Sequence, residues 1–143
     1  MNTPNYQSFR QFNKTPIESL ASSRTSITEP MTERIFNSDS LQDQLVRELA
    51  KQKTLPVKEI LESFEFFARV RKRVRTACVT DLCCGHGLTG ILFALFERSV
   101  ERVVLIDQRQ PPSHAKALAA AIRVGPWVAE KVRYQTARIK DIA

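Results

Sequence analysis

Glycine is scarce in this sequence. There are four in 143 residues, below the roughly 7% of an average globular chain, so no glycine-rich linker or low-complexity segment is present. Cysteine is scarcer still. Cys78, Cys83 and Cys84 are an odd number crowded into seven positions, which excludes a disulfide framework. The adjacent Cys83 and Cys84 are too close for an ordinary structural bridge, and no second Cys or His pair stands at zinc spacing, so no metal site is expected. Reduced thiols fit a cytoplasmic protein. Long apolar runs are lacking too: the longest, GLTGILFALF, is far short of the roughly 20 residues of a membrane helix. The N-terminus has no apolar core of a secretory signal.

What remains is a chain of globular composition, 43% hydrophobic and 26% charged, long enough for one domain with a real core. Its 22 basic and 15 acidic residues leave a net charge of +7. An excess of that sign favours an anionic partner such as RNA without naming one.

Three regions follow from the pattern. Residues 1–37 are rich in Ser, Thr, Asn and Gln, contain Pro4, Pro16 and Pro30, and keep no period of 2 or 3.6; they read as a disordered polar tail. Glu18, Glu29 and Glu33 argue against an organelle transit peptide, which is poor in acids. Residues 38–75 read as a helical extension. Leu41, Leu45, Val46 and Leu49 share one face of a first helix to about Lys53, capped by Ser38 or Asp39. Thr54 can cap a second, with Pro56 in its first turn and Ile60, Leu61, Phe64, Phe67 and Ala68 on one face. That helix runs into RVRKRVR, where Arg69, Arg71, Lys72, Arg73 and Arg75 form a strip that either ends a solvated helix or holds RNA phosphates beside a ligand pocket. Residues 76–143 alternate strand, loop and helix: strands at 76–82, 102–107 and KVRYQTA, helices from Leu88 and from Pro112 to Arg123, and a short helical piece after Gly125-Pro126. Such alternation implies a parallel α/β sheet joined by right-handed crossovers.

Three of the four glycines, Gly85, Gly87 and Gly90, fall between the first strand and its helix as G-x-G-x-x-G. A chain needs glycine there to turn sharply, to take positive φ and to bring its backbone against a ligand at a helix N-terminus. Asp81, at the strand end, bears on which ligand. Beside a dinucleotide pyrophosphate its charge would cost on the order of a few kcal/mol, whereas an ammonium or sulfonium would be favoured.

VTDLCCGHGLTG resembles the first motif of class I S-adenosylmethionine-dependent methyltransferases, a strand ending in Asp followed by Gly-x-Gly, and that family often has cysteine at the place of Cys84. RVVLIDQ is similar to the family's second motif, whose acidic residue binds the adenosine ribose; Asp107 holds that place, 20 residues after Gly87. The resemblance covers about residues 76–141. It implies a partial Rossmann-like sheet of three parallel strands ordered 3-2-1 with helices on both faces, and S-adenosyl-L-methionine as cofactor. Asp81 would engage the methionine end, Gly85 and Gly87 would line the cofactor by backbone, and Asp107 would accept two ribose hydroxyls. Cys83, Cys84 and His86 complete the cofactor-binding loop. Arg138 stands where the family commonly has an acidic residue toward adenine, with Asp141 three residues on, a departure in adenine recognition.

His86 is expected to face solvent without a partner, and His114 to sit on an exposed helix, so neither is assigned catalysis. Trp127 is expected to close the core rather than to stack on a base. Catalytic residues of the family usually follow a fourth strand, and this sequence reaches Ala143 just after the third. A fragment, or a partner chain covering the open edge of the first strand, is therefore expected. Two rivals stand beside the methyltransferase: a non-catalytic Rossmann-like binding or assembly module, and an NAD-binding oxidoreductase domain.

Overall fold

A computed structural model of the protein describes residues 5–14 and 24–142. Among the described residues six α-helices and three strands follow one another: α1 Glu29–Ile35, α2 Leu41–Lys51, α3 Val57–Val70, β1 Cys78–Leu82, α4 Leu88–Phe96, β2 Arg102–Asp107, α5 Pro112–Val124, α6 Val128–Lys131 and β3 Val132–Thr136. The strands form an open, all-parallel sheet in the order β1-β2-β3, with Asp81 opposite Leu105 and Asp107 opposite Thr136. This is the expected 3-2-1 order of a partial Rossmann-like α/β fold, with β2 at the centre.

One expectation about the layers is corrected. The helices gather on a single face, the one bearing Val103, Leu105 and Val132, all buried. Gly90 of α4 packs on Val103 and Leu105, and His114 of α5 stacks on Tyr134 of the same face. On the other face, Thr80, Leu82, Arg133 and Gln135 are exposed and Val104 is half-buried among the described residues; only Ile106 is buried there. The unbroken apolar run of β2 reads as a strand covered on both sides, but the covering helices come from a region that stacks in one layer.

That layer is built outward from α4, whose residues 88 and 90–95 are all buried. Next to α4 lie α3, α5 and α6, while α2 packs on α5 and α1 on α2. The periodic positions of the extension do what their spacing predicts: Leu45, Val46 and Leu49 of α2, and Ile60, Leu61, Phe64 and Phe67 of α3, are buried. The caps differ. Ser40 accepts from Asp43 N at 3.1 Å, and Ser38 instead bonds the Asp43 carboxylate. Thr54 is buried one turn before α3, at whose start no side chain caps.

The polar segment 1–37 is also corrected where it is described; residues 1–4 and 15–23 of that expected tail lie outside the described residues. Phe9, Phe12, Ile27 and Phe36 are buried in the main core. Phe9 alone meets Phe36 and Phe64 with ring centroids 5.3 and 5.0 Å apart, contacts worth about 0.5–1.5 kcal/mol each beyond area burial. The N-terminal end is fastened by Glu65, whose carboxylate accepts from Gln7 N at 2.7 Å and from Ser8 Oγ at 2.8 Å. Partial burial pushes this carboxyl up, but those bonds and Arg69 outweigh it and leave it below the usual range. A few aromatic anchors at irregular spacing carry no periodic signal, so composition alone reads the segment as a tail.

Candidate functional site

The turn between β1 and α4 rests on local backbone geometry. Cys83, Gly85 and Gly87 all have positive φ, +58°, +56° and +81°, and that run of left-handed residues reverses the chain at the sheet's C-terminal end. At Gly87 a Cβ would stand 2.6 Å from Leu105 and 3.2 Å from His114 Nδ1, so both conformation and space demand glycine. Gly90 is needed for a different reason: its Cβ would collide with Leu105, and the missing side chain lets α4 settle on β2.

Around this turn the structure gathers every residue expected there. Asp107, at the end of β2, holds the turn from the side: its Oδ2 accepts from Gly85 N at 2.8 Å and its Oδ1 from Gln108 N at 2.6 Å. Asp81, at the end of β1, accepts from Gly90 N at the start of α4. Burial pushes its carboxyl above the usual range, the Gly90 bond offsets part of this, and the nearby Asp107 charge adds to it. Cys83 is exposed. Cys84 is half-buried, and burial raises its thiol, so it is a poor nucleophile at neutral pH.

His86 does not face solvent unpartnered. Its Nε2 lies 3.3 Å from Glu59 Oε2 of α3, and its Nδ1 accepts from Leu88 N at 3.3 Å. Burial lowers its pKa, and Glu59 pulls it back up. The helical extension is thereby tied to the turn. His114 is corrected more sharply. It is 2% exposed, its Nδ1–H donates to His86 O at 2.9 Å, and burial lowers its pKa. Tyr134, 4.6 Å away ring to ring, has its hydroxyl 2.8 Å from Gly85 O and 3.1 Å from Arg109 O. Two consecutive carbonyls of the turn are therefore clasped from α5 and β3. Sequence reasoning missed Glu59, His114 and Tyr134 as parts of this site. The one available signal was the alternation that puts Val132 and Tyr134 on the same face of β3.

Two openings flank the turn. One, of about 330 Å³, lies at the ends of β2 and β3 and is lined by Cys83, Ile106, Asp107 and Arg138 among others. The other, about 500 Å³, runs along β1 and includes Asp81 at its upper end. Arg138 is paired with Asp141 at 2.9 Å. Among the described residues no cluster of His, Cys, Asp and Glu is placed to hold a metal ion, and no helix is long and apolar enough to cross a membrane.

The basic strip is not beside this turn. It precedes β1, at the opposite end of the sheet, and five strand residues at about 3.3 Å each put roughly 15 Å between the two. Arg69 is paired with Glu65, and Arg71 with Glu97 at 2.6 Å and the Phe67 ring. Lys72, Arg73 and Arg75 are exposed and form no ion pair among the described residues. Trp127 likewise differs from expectation. It is 44% exposed and uses its indole N–H to satisfy Leu95 O at 3.1 Å, beside Lys131, which serves Ala94 O and Glu97 O. Trp127 and Lys131 together satisfy carbonyls left open at the end of α4. No protein-family profile, curated protein or solved structure matches the chain.

Proposed function

We propose that the chain binds S-adenosyl-L-methionine across the glycine turn and is the cofactor-binding part of a methyltransferase. The observation that carries this reading is the pair of carboxylates on either side of one turn, Asp107 facing the opening at β2 and β3 and Asp81 the opening along β1.

The donor chemistry of these residues fits such a ligand. A carboxylate has about four acceptor positions, and Asp107 uses two on backbone N–H groups, which leaves acceptors for the two hydroxyls of a ribose. Asp81, half-buried and short of donors, is stabilised by a cation beyond the turn and penalised by a phosphate. Bound here, the cofactor would supply an electrophilic methyl group; this chain's residues hold and orient it. Adenine would meet apolar Ile106 and the turn backbone, since Arg138 is occupied by Asp141.

Isothermal titration of the full chain with S-adenosyl-L-methionine and with NAD tests the reading. Binding of the former is expected, weakened about tenfold or more in Asp107→Ala and in Asp81→Asn, as the loss of a charged partner worth about 1.5–3 kcal/mol predicts. A folded chain that binds neither ligand would point to a non-catalytic module. One that binds NAD alone would return the oxidoreductase reading.

A further inference from the structure

We propose that His86 is a proton-operated cap: as neutral imidazole it holds the first turn of α4 against the glycine loop, and on protonation it releases that turn and weakens the ligand held there. The ligand half of this rests on the function proposed above; the cap itself is read without any ligand.

Hydrogen-bond directions fix the proton on each histidine. Leu88, the first residue of α4, donates its N–H to His86 Nδ1 at 3.3 Å, so that nitrogen keeps its lone pair. The ring proton then lies on Nε2, 3.3 Å from Glu59 Oε2 of α3. His114 acts from the other side. Its Nδ1 is 2.9 Å from the His86 carbonyl oxygen, which can only accept, so Nδ1 carries the proton. One residue is thus gripped at its ring by α3 and α4 and at its carbonyl by α5.

No neighbouring side chain duplicates the cap. Gly87, at the N-cap of α4, has none to offer, and Asp81 serves Gly90 N, two residues further on. A second proton on His86 would aim Nδ1–H at the Leu88 N–H and set a positive charge at the positive pole of the helix. Only Glu59 favours that imidazolium, and at 47% exposure its attraction is screened. To take up the proton the ring must therefore turn away from Leu88. Burial holds the His86 imidazole below the ordinary histidine range, Glu59 pulls it part of the way back, and His114 lowers it again. The cap's contribution is then fully present above the ordinary histidine range and is lost as pH falls through that range to the lowered value. The other charged or titratable groups about the turn are the Tyr134 hydroxyl on Gly85 O, the carboxylates Asp81 and Asp107, and Arg24, Lys58 and Glu62, which share an opening with Glu59.

The test is an NMR titration of the full chain from about pH 8 to 5. His86 and His114 are its two histidines, so His86→Gln assigns both rings. The His86 ring is expected as the Nε2–H tautomer, titrating below the ordinary range, with the Leu88 amide proton shifting on the same curve. In Glu59→Gln the curve should move to lower pH, because the charge that favours imidazolium is gone; Glu59 is exposed enough that circular dichroism should not change. Affinity for S-adenosyl-L-methionine, measured on the same samples, should fall about fivefold or more between pH 8 and the acid side of the curve, the size of one lost cap. That fall should move to lower pH in Glu59→Gln and shrink in His86→Gln, which has no proton to take up and keeps Asp81 and Asp107. A His86 ring in the other tautomer, a Leu88 amide that ignores its titration, or a curve that does not move down in Glu59→Gln overturns the cap. An affinity profile that stays put in both variants overturns its effect on the ligand. If no S-adenosyl-L-methionine binds at any pH, the function proposed above fails, and the joint titration of His86 and Leu88 still decides the cap.

Discussion

The two ends of β1 are separated by a strand of only five residues and are physically opposite. At the C-terminal end, backbone and side chains are committed: Asp81, Asp107, His114 and Tyr134 each bond the turn or the helix start, and glycine is the only residue that fits at Gly87. At the N-terminal end, three cations point outward with no ion pair among the described residues, and the adjoining strand edge is bare. A rigid, prearranged end suits recognition of a small ligand. The N-terminal end carries its charges in solvent, where a substitution leaves no buried group without a partner.

Substitutions at the two ends should therefore behave differently, and the largest effect is expected at the committed end. Gly90→Val forces a branched side chain into Leu105 and should cost about 3 kcal/mol, lowering Tm by roughly 10 °C and abolishing ligand binding at the turn; a thermal melt read by circular dichroism checks it. An unchanged Tm would mean that α4 shifts on β2 with little resistance.

Asp81→Asn should produce a smaller effect of opposite sign on stability. Because burial raises the Asp81 carboxyl in the folded chain, its ionised form is less favourable there than in the unfolded chain. Its contribution is therefore fully present at pH below the ordinary carboxyl range and is lost as pH rises through the raised value. The variant should melt above the parent near neutral pH, with the difference closing as pH falls below the ordinary carboxyl range, while its affinity for a cationic ligand drops. Parallel melts of both chains from about pH 3 to 8 would show the difference closing or its absence.

The smallest effect belongs to the free end. Neutralising Lys72, Arg73 and Arg75 together removes no ion pair among the described residues, so stability should change by no more than about 0.5 kcal/mol, measured by urea titration. A larger loss would mean that the strip is committed after all, and the contrast between the two ends would weaken.

How much of this was legible in the sequence depends on which interaction organised each part. Wherever a residue's role follows from its neighbours along the chain, the reading held: the helix faces of Leu45 to Leu49 and Ile60 to Phe67, the strand Arg102–Asp107, and the grouping of Asp81, Gly85, Gly87 and Asp107 at one turn. Where the role depends on a residue far away in sequence, it did not. Phe9 and Phe12 are buried because Phe36 and Phe64 are beside them. His114 is buried because α5 lies over the turn 28 residues earlier. The strip is far from the turn because β1 separates them, which the linear order already contained but composition does not weigh.

The sequence by itself determined the alternation of strands and helices, hence a parallel sheet, and the glycine turn, because periodicity and positive φ are local properties of the chain. Only the tertiary structure decided that the helices share one face, that His86 and His114 have partners, and that an apolar groove runs beside β1. Those depend on which surfaces meet, and long-range packing writes no period into the residues it joins.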